Sequence, residues 1–416
     1  HINPSTPTQV EANALPVANV TDDYDGDARV SPDLGADEGN FTPIDLTAPV
    51  ITNPNFVNAC SDMVYPVSVS ITDLDAVSVA LGTAPRVYYK ISTDVNAYND
   101  NTSATAGWKY AVATNTTSPF TFNIDFGLLN GGVQPNQTIQ YFVLAQDNSG
   151  NVGVMPSGLS GTINSVALSA GNFPHTSPSV FSLLPCSGVV TVGTGGQYGV
   201  FTTANGIFNA INQAPALNGN LLIKVVSDIT TEDGFVGLNQ WNENGLGGYS
   251  ITIESDANVL RSISGSSGTN AGLFRMSGAD RVTFNGGAGS NKFLKFSNTG
   301  TLAGAATFNI INDSKYITVN NCIIEGGASS STNGVVTIGT SSATGNDTIT
   351  ITKCDIKSYA ANLPTYGVYG VGTTGRDNSG VIISNCNIYD VYSATIAPSA
   401  VYIGAGNSGW SIVSNK

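Results

Sequence analysis

The sequence contains few charged residues, and most of those are acidic. Only 11% of its 416 residues are Asp, Glu, Lys or Arg, against about 25% in typical soluble domains. Fifteen basic residues against 29 acidic ones give a formal net charge of −14, which leaves little basic surface to hold the phosphates of a nucleic acid or an acidic membrane. We therefore expect no nucleic-acid partner.

Histidine and long hydrophobic runs are also scarce. His1 and His175 are the only histidines, too few for a His-rich metal site or for a His base assisted by a second His. No apolar run reaches the ~18 residues of a membrane-spanning helix, so membrane insertion is not expected. The chain begins with His1 and shows no basic segment followed by an apolar one, which predicts a processed chain or part of a longer one.

The composition that remains favours a folded, all-β protein. Apolar residues make up 41% of the chain and glycine contributes 47 residues, with Asn, Thr and Ser abundant elsewhere. Enough apolar surface is present to build a core, and the polar residues are those that favour turns. At roughly 150 residues per domain, the length predicts two or three domains.

An internal repeat lies in the C-terminal half. Cys322, Cys354 and Cys386 are spaced by 32 residues each time, and the segments around them align without gaps. Before each cysteine, apolar residues alternate with polar ones, which is the period of a strand with one buried face. The alternating pairs are Ile317/Val319, Ile349/Ile351 and Val381/Ile383, and the bends that follow contain Asn321, Lys353 and Asn385.

The same template recurs on both sides of these segments. Coils of about 30 residues that bury their inward side chains against neighbouring coils form a solenoid, so we predict a parallel β-helix over residues 188–416. The further pairs are Ile223/Val225, Ile251/Ile253 and Val282/Phe284, at intervals of 28, 31 and 35 residues to the next pair, then Trp410/Ile412, with a second series at Val335, Val368 and Val401.

The ends of such a solenoid need covering, because they expose open sheet edges. Residues 201–214 predict an amphipathic capping helix with Thr203 as its N-cap and with Ile207, Phe208 and Ile211 on one face. At the other end the repeat runs up to Lys416 without a cap, which predicts a β-helix that is incomplete at its C-terminus.

Residues 45–187 follow a different pattern, with short alternating runs separated by Asn-, Gly- and Pro-rich turns. Strands at this spacing predict an antiparallel β-sandwich. Cys60 and Cys186 flank it, and they form either a disulfide that joins the ends of the module or two buried free thiols. The runs are 45–51, 67–71, 86–91, 120–124 and 137–145.

The densest acidic segment lies within residues 1–44. Asp23, Asp25 and Asp27 stand at alternate positions and could wrap a Ca²⁺ ion, which takes six to eight oxygen ligands. An EF-hand loop does not fit, because Ala28 and Leu34 stand where its Gly and Glu should be. A solvated acidic turn is the alternative, and no other cofactor is expected.

Three stretches resemble parts of known modular surface proteins. Residues 23–29, which end in Arg29, and residues 32–38, where Asp33, Gly35, Ala36 and Glu38 match and Asp37 stands beside them, resemble the closing motif of right-handed β-helix domains in secreted, pectin-lyase-like proteins of Bacteroidetes. Residues 141–152 resemble the late strand and turn of immunoglobulin-like and fibronectin type III-like modules. The resemblance implies an all-β chain: the end of a preceding β-helix (1–44), an Ig-like antiparallel sandwich (45–187) and a right-handed parallel β-helix solenoid (188–416).

This arrangement resembles the giant adhesins and filament proteins exported by the type IX secretion system, some of which serve gliding motility. The resemblance implies a secreted protein on the outer-membrane exterior of a bacterial cell. Its partners would be further modules of the same chain, the secretion machinery and, at the surface, glycans. It also implies a sugar on Thr348, because Asp347-Thr348-Ile349 fits the O-glycosylation pattern of Bacteroidetes, although an ordinary strand threonine fits equally.

Two other groups of residues allow more than one interpretation. Tyr369 and Tyr402 stand 33 residues apart beside inward valines, so they are expected to stack outward, either as a glycan-binding stripe or as a stabilising cross-coil ladder. Cys322, Cys354 and Cys386 could be metal ligands, but as inward repeat positions without an accompanying His they are better explained as small hydrophobic residues.

The main functional alternatives are adhesion and carbohydrate chemistry. Hydrolysis of a glycosidic bond needs two carboxyl groups about 5–9.5 Å apart, and no two acidic residues occupy the same coil position in consecutive predicted coils. The predicted solenoid also lacks His. We therefore expect a non-catalytic structural or adhesive segment, not an enzyme, with a carbohydrate-binding or polysaccharide-degrading β-helix as the alternative.

Overall fold

The computed structural model describes residues 3–36, 38–52, 54–268 and 272–416. It divides into two compact units. The sandwich unit comprises His1–Phe56, Val64–Gly132 and Ile139–Val180, and the solenoid unit comprises Val57–Met63, Val133–Thr138 and Phe181–Lys416. Residues up to 44 cluster with the sandwich; their assignment to the end of a preceding β-helix stays a prediction.

The sandwich unit contains two antiparallel sheets, as the alternating runs predicted. One has the order β1-β3-β6, and the other is formed by β5, β4, β7 and β8. Its largest buried side chains include Tyr88, Trp108 and Phe142. The first nine strands are β1 (Val50–Thr52), β2 (Ala59–Cys60), β3 (Tyr65–Thr72), β4 (Arg86–Ile91), β5 (Lys109–Val112), β6 (Phe120–Ile124), β7 (Thr138–Gln146), β8 (Val152–Met155) and β9 (Ser179–Leu184).

The solenoid unit is a parallel β-helix of about seven turns, which confirms the predicted fold class. Three parallel sheets run through it, with the orders β10-β11-β14-β17-β20-β23-β27-β31, β12-β15-β18-β21-β24-β28 and β13-β16-β19-β22-β25-β29. Its elements are β10 (Gly188–Val192), α1 (Ile207–Gln213), β11 (Leu221–Val225), β12 (Ile229–Glu232), β13 (Leu238–Asn239), β14 (Ile251–Ser255), β15 (Arg261–Gly265), β16 (Phe274–Ser277), β17 (Val282–Asn285), β18 (Leu294–Asn298), β19 (Phe308–Ile311), β20 (Thr318–Asn320), β21 (Ile323–Gly326), β22 (Val336–Ile338), β23 (Thr350–Thr352), β24 (Asp355–Ser358), β25 (Tyr366–Gly370), β26 (Asn378–Ser379), β27 (Ile382–Ser384), β28 (Asn387–Ile388), β29 (Ser399–Ile403), β30 (Asn407–Ser408) and β31 (Ser411–Val413).

The inward side chains form ladders through the coils. Phe284, Val319, Ile351 and Ile383 follow one another in register, and all four are fully buried. Cys322, Cys354 and Cys386 are also fully buried, which confirms their inward position.

The predicted repeat is displaced at two places where apolar residues offer more than one inward position. Ile223, and not Val225, pairs with Ile253. Because Leu221 is a third inward apolar residue in the same strand, the sequence pattern fits equally well when the register is shifted by two residues. In the second series, Val336 pairs with Val368 where Val335 was expected. Two adjacent valines are both buried there, so alternation alone could not place the strand.

The capping helix is present but shorter than predicted. Helix α1 begins at Ile207 with Gly206 as its N-cap, so the predicted Thr203 N-cap is wrong. The reason is a tight turn, in which Gly206 N–H donates to the Thr203 carbonyl and delays the first helical residue. Phe208 and Ile211 are buried as expected.

The coil corners require left-handed backbone. Asn321, Lys353 and Asn385 all have φ of 55–56°, at the bends predicted from the repeat. A second corner, one coil side earlier, places Thr348 at φ 58° and its equivalent in the next coil, Gly380, at φ 61°. A β-branched residue is strained in this region, whereas glycine is not.

Replacing Thr348 by glycine should therefore stabilise the solenoid unit. We expect T348G to raise its free energy of unfolding by about 1 kcal/mol, because strain is relieved at an exposed position with no described side-chain hydrogen bond. Urea denaturation measures the change. The matched control is T350G, two residues on in strand β23, which should destabilise; a loss of stability in T348G would contradict the prediction.

Candidate functional site

Acidic side chains in the solenoid mostly connect one coil to the next. Glu325 lies between two cations, 4.0 Å from Lys295 and 3.3 Å from Lys357. Asp355 lies 3.5 Å from Lys292 and accepts a hydrogen bond from Asn387 Nδ2 at 2.8 Å. These carboxylates are thus held by neighbouring coils.

Asp313 is the most highly coordinated of these acids. Its carboxylate accepts the backbone N–H groups of Ala343, Thr344 and Gly345 at 2.6–3.1 Å and the Ser342 hydroxyl at 2.6 Å. Burial alone would raise the pKa of Asp313, but these hydrogen bonds outweigh it and hold the pKa well below its usual range. A carboxylate so fully engaged organises a loop and is poorly placed to transfer a proton.

Amide side chains form a second coil-to-coil ladder. Asn346 Nδ2 donates to Asn378 Oδ1 at 2.8 Å, and Asn378 Nδ2 donates to Asn407 Oδ1 at 3.0 Å. Asn346 and Asn378 are fully buried. The abundance of asparagine in the sequence thus has a direct structural use at a coil corner.

The predicted tyrosine stripe is a stacked cluster. Tyr369 and Tyr402 pair in register, with ring centroids 5.2 Å apart and planes 8° apart, and Tyr366 tilts against both. Tyr402 is 39% exposed but Tyr369 only 8%. The stack supports the cross-coil ladder, and little of the Tyr369 face is free for a sugar; glycan binding at these residues stays a prediction.

The cysteines separate into a disulfide and three thiols. Cys60 and Cys186 are bonded, with Cα atoms 5.5 Å apart, which confirms the bridge over the free-thiol alternative. Burial raises the pKa of the Cys354 thiol, and the hydrogen bond that the Cys386 thiol donates to Cys354, together with burial, raises the pKa of Cys386. Together with Cys322 they are buried free thiols, and unreactive in the folded state for that reason.

The predicted roles of Thr348 in glycosylation and of the N-terminal acids in calcium binding stay predictions. Thr348 is exposed at its corner, so a sugar there remains a prediction. Asp23 accepts the backbone N–H groups of Asp25, Asp27 and Glu38 at 2.8–2.9 Å, and these bonds lower the pKa of Asp23, the one from Glu38 most. The carboxylate closes a turn, and calcium at Asp23, Asp25 and Asp27 stays a prediction.

The residues on which the family resemblance rests form one network. Asp33 is buried and accepts the N–H groups of Ala12 and Gly39 at 2.8 and 2.9 Å. Arg29 lies 3.2 Å from Glu38 and donates to the Gly35 carbonyl. Asp37 lies outside the described residues.

Three carboxylates that no motif or spacing in the sequence groups together converge in the sandwich unit. Asp45, Asp73 and Asp147 each offer an oxygen within 4.8 Å of the others. Asp147 is fully buried and accepts both Asn151 nitrogens, whereas Asp45 Oδ2 is buried with no hydrogen-bond partner among the described residues. Burial and the charges of its two neighbours raise the pKa of Asp73. These residues could hold a hard cation.

The sequence did contain one clue to this cluster: Asp73 directly follows strand β3 and Asp147 directly follows strand β7.

Substituting Asp73 by Asn should raise the melting temperature of the sandwich unit in EDTA, since it removes like-charge repulsion worth up to about 1 kcal/mol. The Asp75 N–H bond to Asp73 Oδ1 survives in Asn. Calcium should stabilise the wild type more than D73N; equal melting temperatures in EDTA would contradict the repulsion.

His175 is a structural residue of the sandwich unit, and His1 lies outside the described residues. The ring stacks on Phe142 with centroids 4.4 Å apart. Its Nδ1 accepts the Ser177 N–H at 3.2 Å, so Nε2 carries the proton and donates to the Pro156 carbonyl at 3.0 Å. Burial lowers the pKa of His175, and protonation of Nδ1 would also place two donors, Nδ1–H and the Ser177 N–H, against each other.

The sandwich unit should therefore lose stability as the pH falls below about 6.5, the pKa of an unfolded histidine. Below that value the unfolded chain binds a proton that the folded His175 resists, so the free energy of unfolding falls with pH. Denaturation between pH 7.5 and 5.5 measures the slope. H175F keeps the stacking but cannot titrate, so its slope should be flatter; equal slopes would assign the effect elsewhere.

No family model matches this sequence, and no curated protein does. No helix among the described residues is long and apolar enough to cross a membrane. Function is therefore inferred from the fold and from the side-chain geometry of the chain.

Proposed function

We propose that this chain is a non-catalytic structural and adhesive segment of an exported bacterial surface protein. The observation that carries the proposal is the coil-to-coil use of the solenoid carboxylates. Asp313, Glu325 and Asp355 are each held by a neighbouring coil, through backbone N–H groups, lysines or an asparagine. Acids anchored in this way stiffen the solenoid and are poorly suited to glycosidic hydrolysis, which needs a proton donor and a second carboxyl group.

The mechanical part of the proposal follows from the sheet geometry. Strands in neighbouring coils are about 4.8 Å apart, so seven turns give a solenoid roughly 30 Å long. Backbone hydrogen bonds connect every coil to the next, and the buried Asn346 and Asn378 amides add a side-chain ladder. A segment built in this way suits a stalk or filament.

Export is supported by two features. The Cys60–Cys186 disulfide suits an oxidising, extracellular environment. The resemblance to type IX-exported adhesins agrees with it and suggests attachment to the cell exterior, further modules of the same kind and a role in adhesion or gliding.

Adhesion under flow tests the proposal. Beads coated with the purified chain should be retained on glycan- or host-matrix-coated surfaces more strongly than albumin-coated beads. The variant E325Q/D355N removes two outward carboxylates and should adhere as the wild type does. Release of reducing ends or unsaturated products from a polysaccharide panel by the wild type, lost in that variant, would favour the degrading alternative instead.

A further inference from the structure

A polar pocket without charge lies wholly within the solenoid unit, beside the capping helix. Its volume is about 320 Å³, and none of the residues that line it is Asp, Glu, Lys or Arg. Pockets that bind small molecules start at about this size. Its hydrogen-bonding side chains, apart from Tyr198, are Asn58, Asn136, Ser182, Asn205, Asn209 and Gln213.

Tyr198 gives the pocket an unused hydrogen-bonding group. The ring is packed in the solenoid core and only 4% exposed. Its hydroxyl is buried with no hydrogen-bond partner among the described residues. Buried hydroxyl groups in folded proteins are nearly always paired, and an unpaired one needs an explanation. Tyr198 lines the pocket, and a small shift of the pocket wall that uncovers the hydroxyl would let a ligand supply the missing partner.

Two amide side chains of the pocket wall each use only part of their hydrogen-bonding capacity. Asn58 Oδ1 accepts the Ser182 N–H at 3.0 Å, which leaves its Nδ2 for a ligand. Asn209 Nδ2 donates to a loop carbonyl at 2.7 Å, which leaves its Oδ1. Both donors and acceptors are therefore available on the pocket wall.

The pocket also has apolar wall and an open rim. Leu183, Leu184 and Ala210 contribute apolar surface, while Asn205 and Gln213 are exposed. Hydroxyl groups pair with amides as both donors and acceptors, and the C–H face of a sugar ring packs on apolar side chains. The absence of formal charge among the lining residues disfavours anions and cations, which need a compensating partner when they are desolvated.

We infer that this pocket binds a neutral saccharide, with the Tyr198 hydroxyl as a buried contact to a sugar hydroxyl. The inference does not depend on the adhesive role, because it concerns binding by the isolated chain. A protein that adheres through another surface would leave the pocket result unchanged, and a soluble saccharide receptor would bind without adhering.

The test uses the full chain and an array of oligosaccharides. The array carries neutral hexose, N-acetylhexosamine and deoxyhexose oligomers beside sialylated and uronate-containing ones, and saturation-transfer NMR with the free neutral sugars detects weak binding. We expect binding to one or more neutral saccharides only. Y198F, which keeps the buried ring and loses only the hydroxyl, should weaken that binding about tenfold.

Two further measurements separate binding from folding. The melting temperature of Y198F should equal or exceed that of the wild type, because the hydroxyl removed is unpaired. Q213A at the exposed rim should weaken binding without affecting stability, whereas Y402F in the tyrosine stack should leave binding unchanged. No neutral saccharide bound, binding to acidic glycans alone, or neutral binding untouched by Y198F and Q213A would each overturn the inference.

Discussion

Removal of the Cys60–Cys186 disulfide should lower the free energy of unfolding of the solenoid unit by up to about 5 kcal/mol. The bond joins residues 126 positions apart, and the chain-entropy relation gives about that value for a loop of this length. Next to the bond, strand β2 pairs with strand β9 over two residues, Ala59 with Leu183 and Cys60 with Leu184, and the flanking Asn58 and Asp62 side chains accept hydrogen bonds from the Ser182 N–H and the Ser187 hydroxyl. Without the covalent link, that short pairing should open easily.

The experiment compares the wild type with C60A/C186A in urea denaturation, with hydrogen exchange on strands β2, β9 and β10. Exchange should accelerate first in β2, because its two residues lose the covalent attachment. C354A is the matched control: it removes a buried sulfur outside the bridge and should cost only about 1 kcal/mol through the cavity it leaves. If the double variant unfolds at the same urea concentration as C354A, the bridge contributes little and the prediction is wrong.

Repetition explains why so much of the solenoid could be predicted. A single coil strand such as Thr350–Thr352 carries a weak signal, but Val319, Ile351 and Ile383 recur with the same neighbours and turn residues. The register was wrong only where the local sequence is degenerate, as at Val335 and Val336. Alternation has a period of two, so extra apolar residues in one strand remove the information that would place it.

The candidate sites depended on information that the repeat does not contain. Asp45, Asp73 and Asp147 are far apart in the chain and meet because the strands of the sandwich unit bring them together. Tyr198 looks like any core aromatic in the sequence; its significance is a hydroxyl without a hydrogen-bond partner among the described residues, which depends on how the chain folds around it. The Cys60–Cys186 disulfide could be predicted in part. The sequence shows two cysteines that flank one module, but the Cα–Cα distance that decides whether they can bond is set by the fold.

Loss of the Glu232 carboxylate should be the most damaging single substitution in the first coils. Glu232 is 2% exposed and accepts the backbone N–H groups of Phe201 and Thr202, both at 2.7 Å, and the Thr202 hydroxyl at 2.6 Å. The same hydroxyl accepts the Gly234 N–H at 3.1 Å. One buried carboxylate therefore holds the turn that leads into the capping helix α1.

We expect E232A to lower the free energy of unfolding of the solenoid unit by about 3–5 kcal/mol, because three buried donors lose their acceptor at once. E232Q should cost nearly as much, since its NH₂ group replaces an acceptor with a donor facing other donors. E254Q is the control: Glu254 is a half-buried acid paired with Lys224, and its neutralisation should cost less than about 1 kcal/mol. Hydrogen exchange should show α1 opening in E232A and E232Q but not in E254Q. Wild-type protection of α1 in E232Q would mean that the carboxylate does not hold the cap.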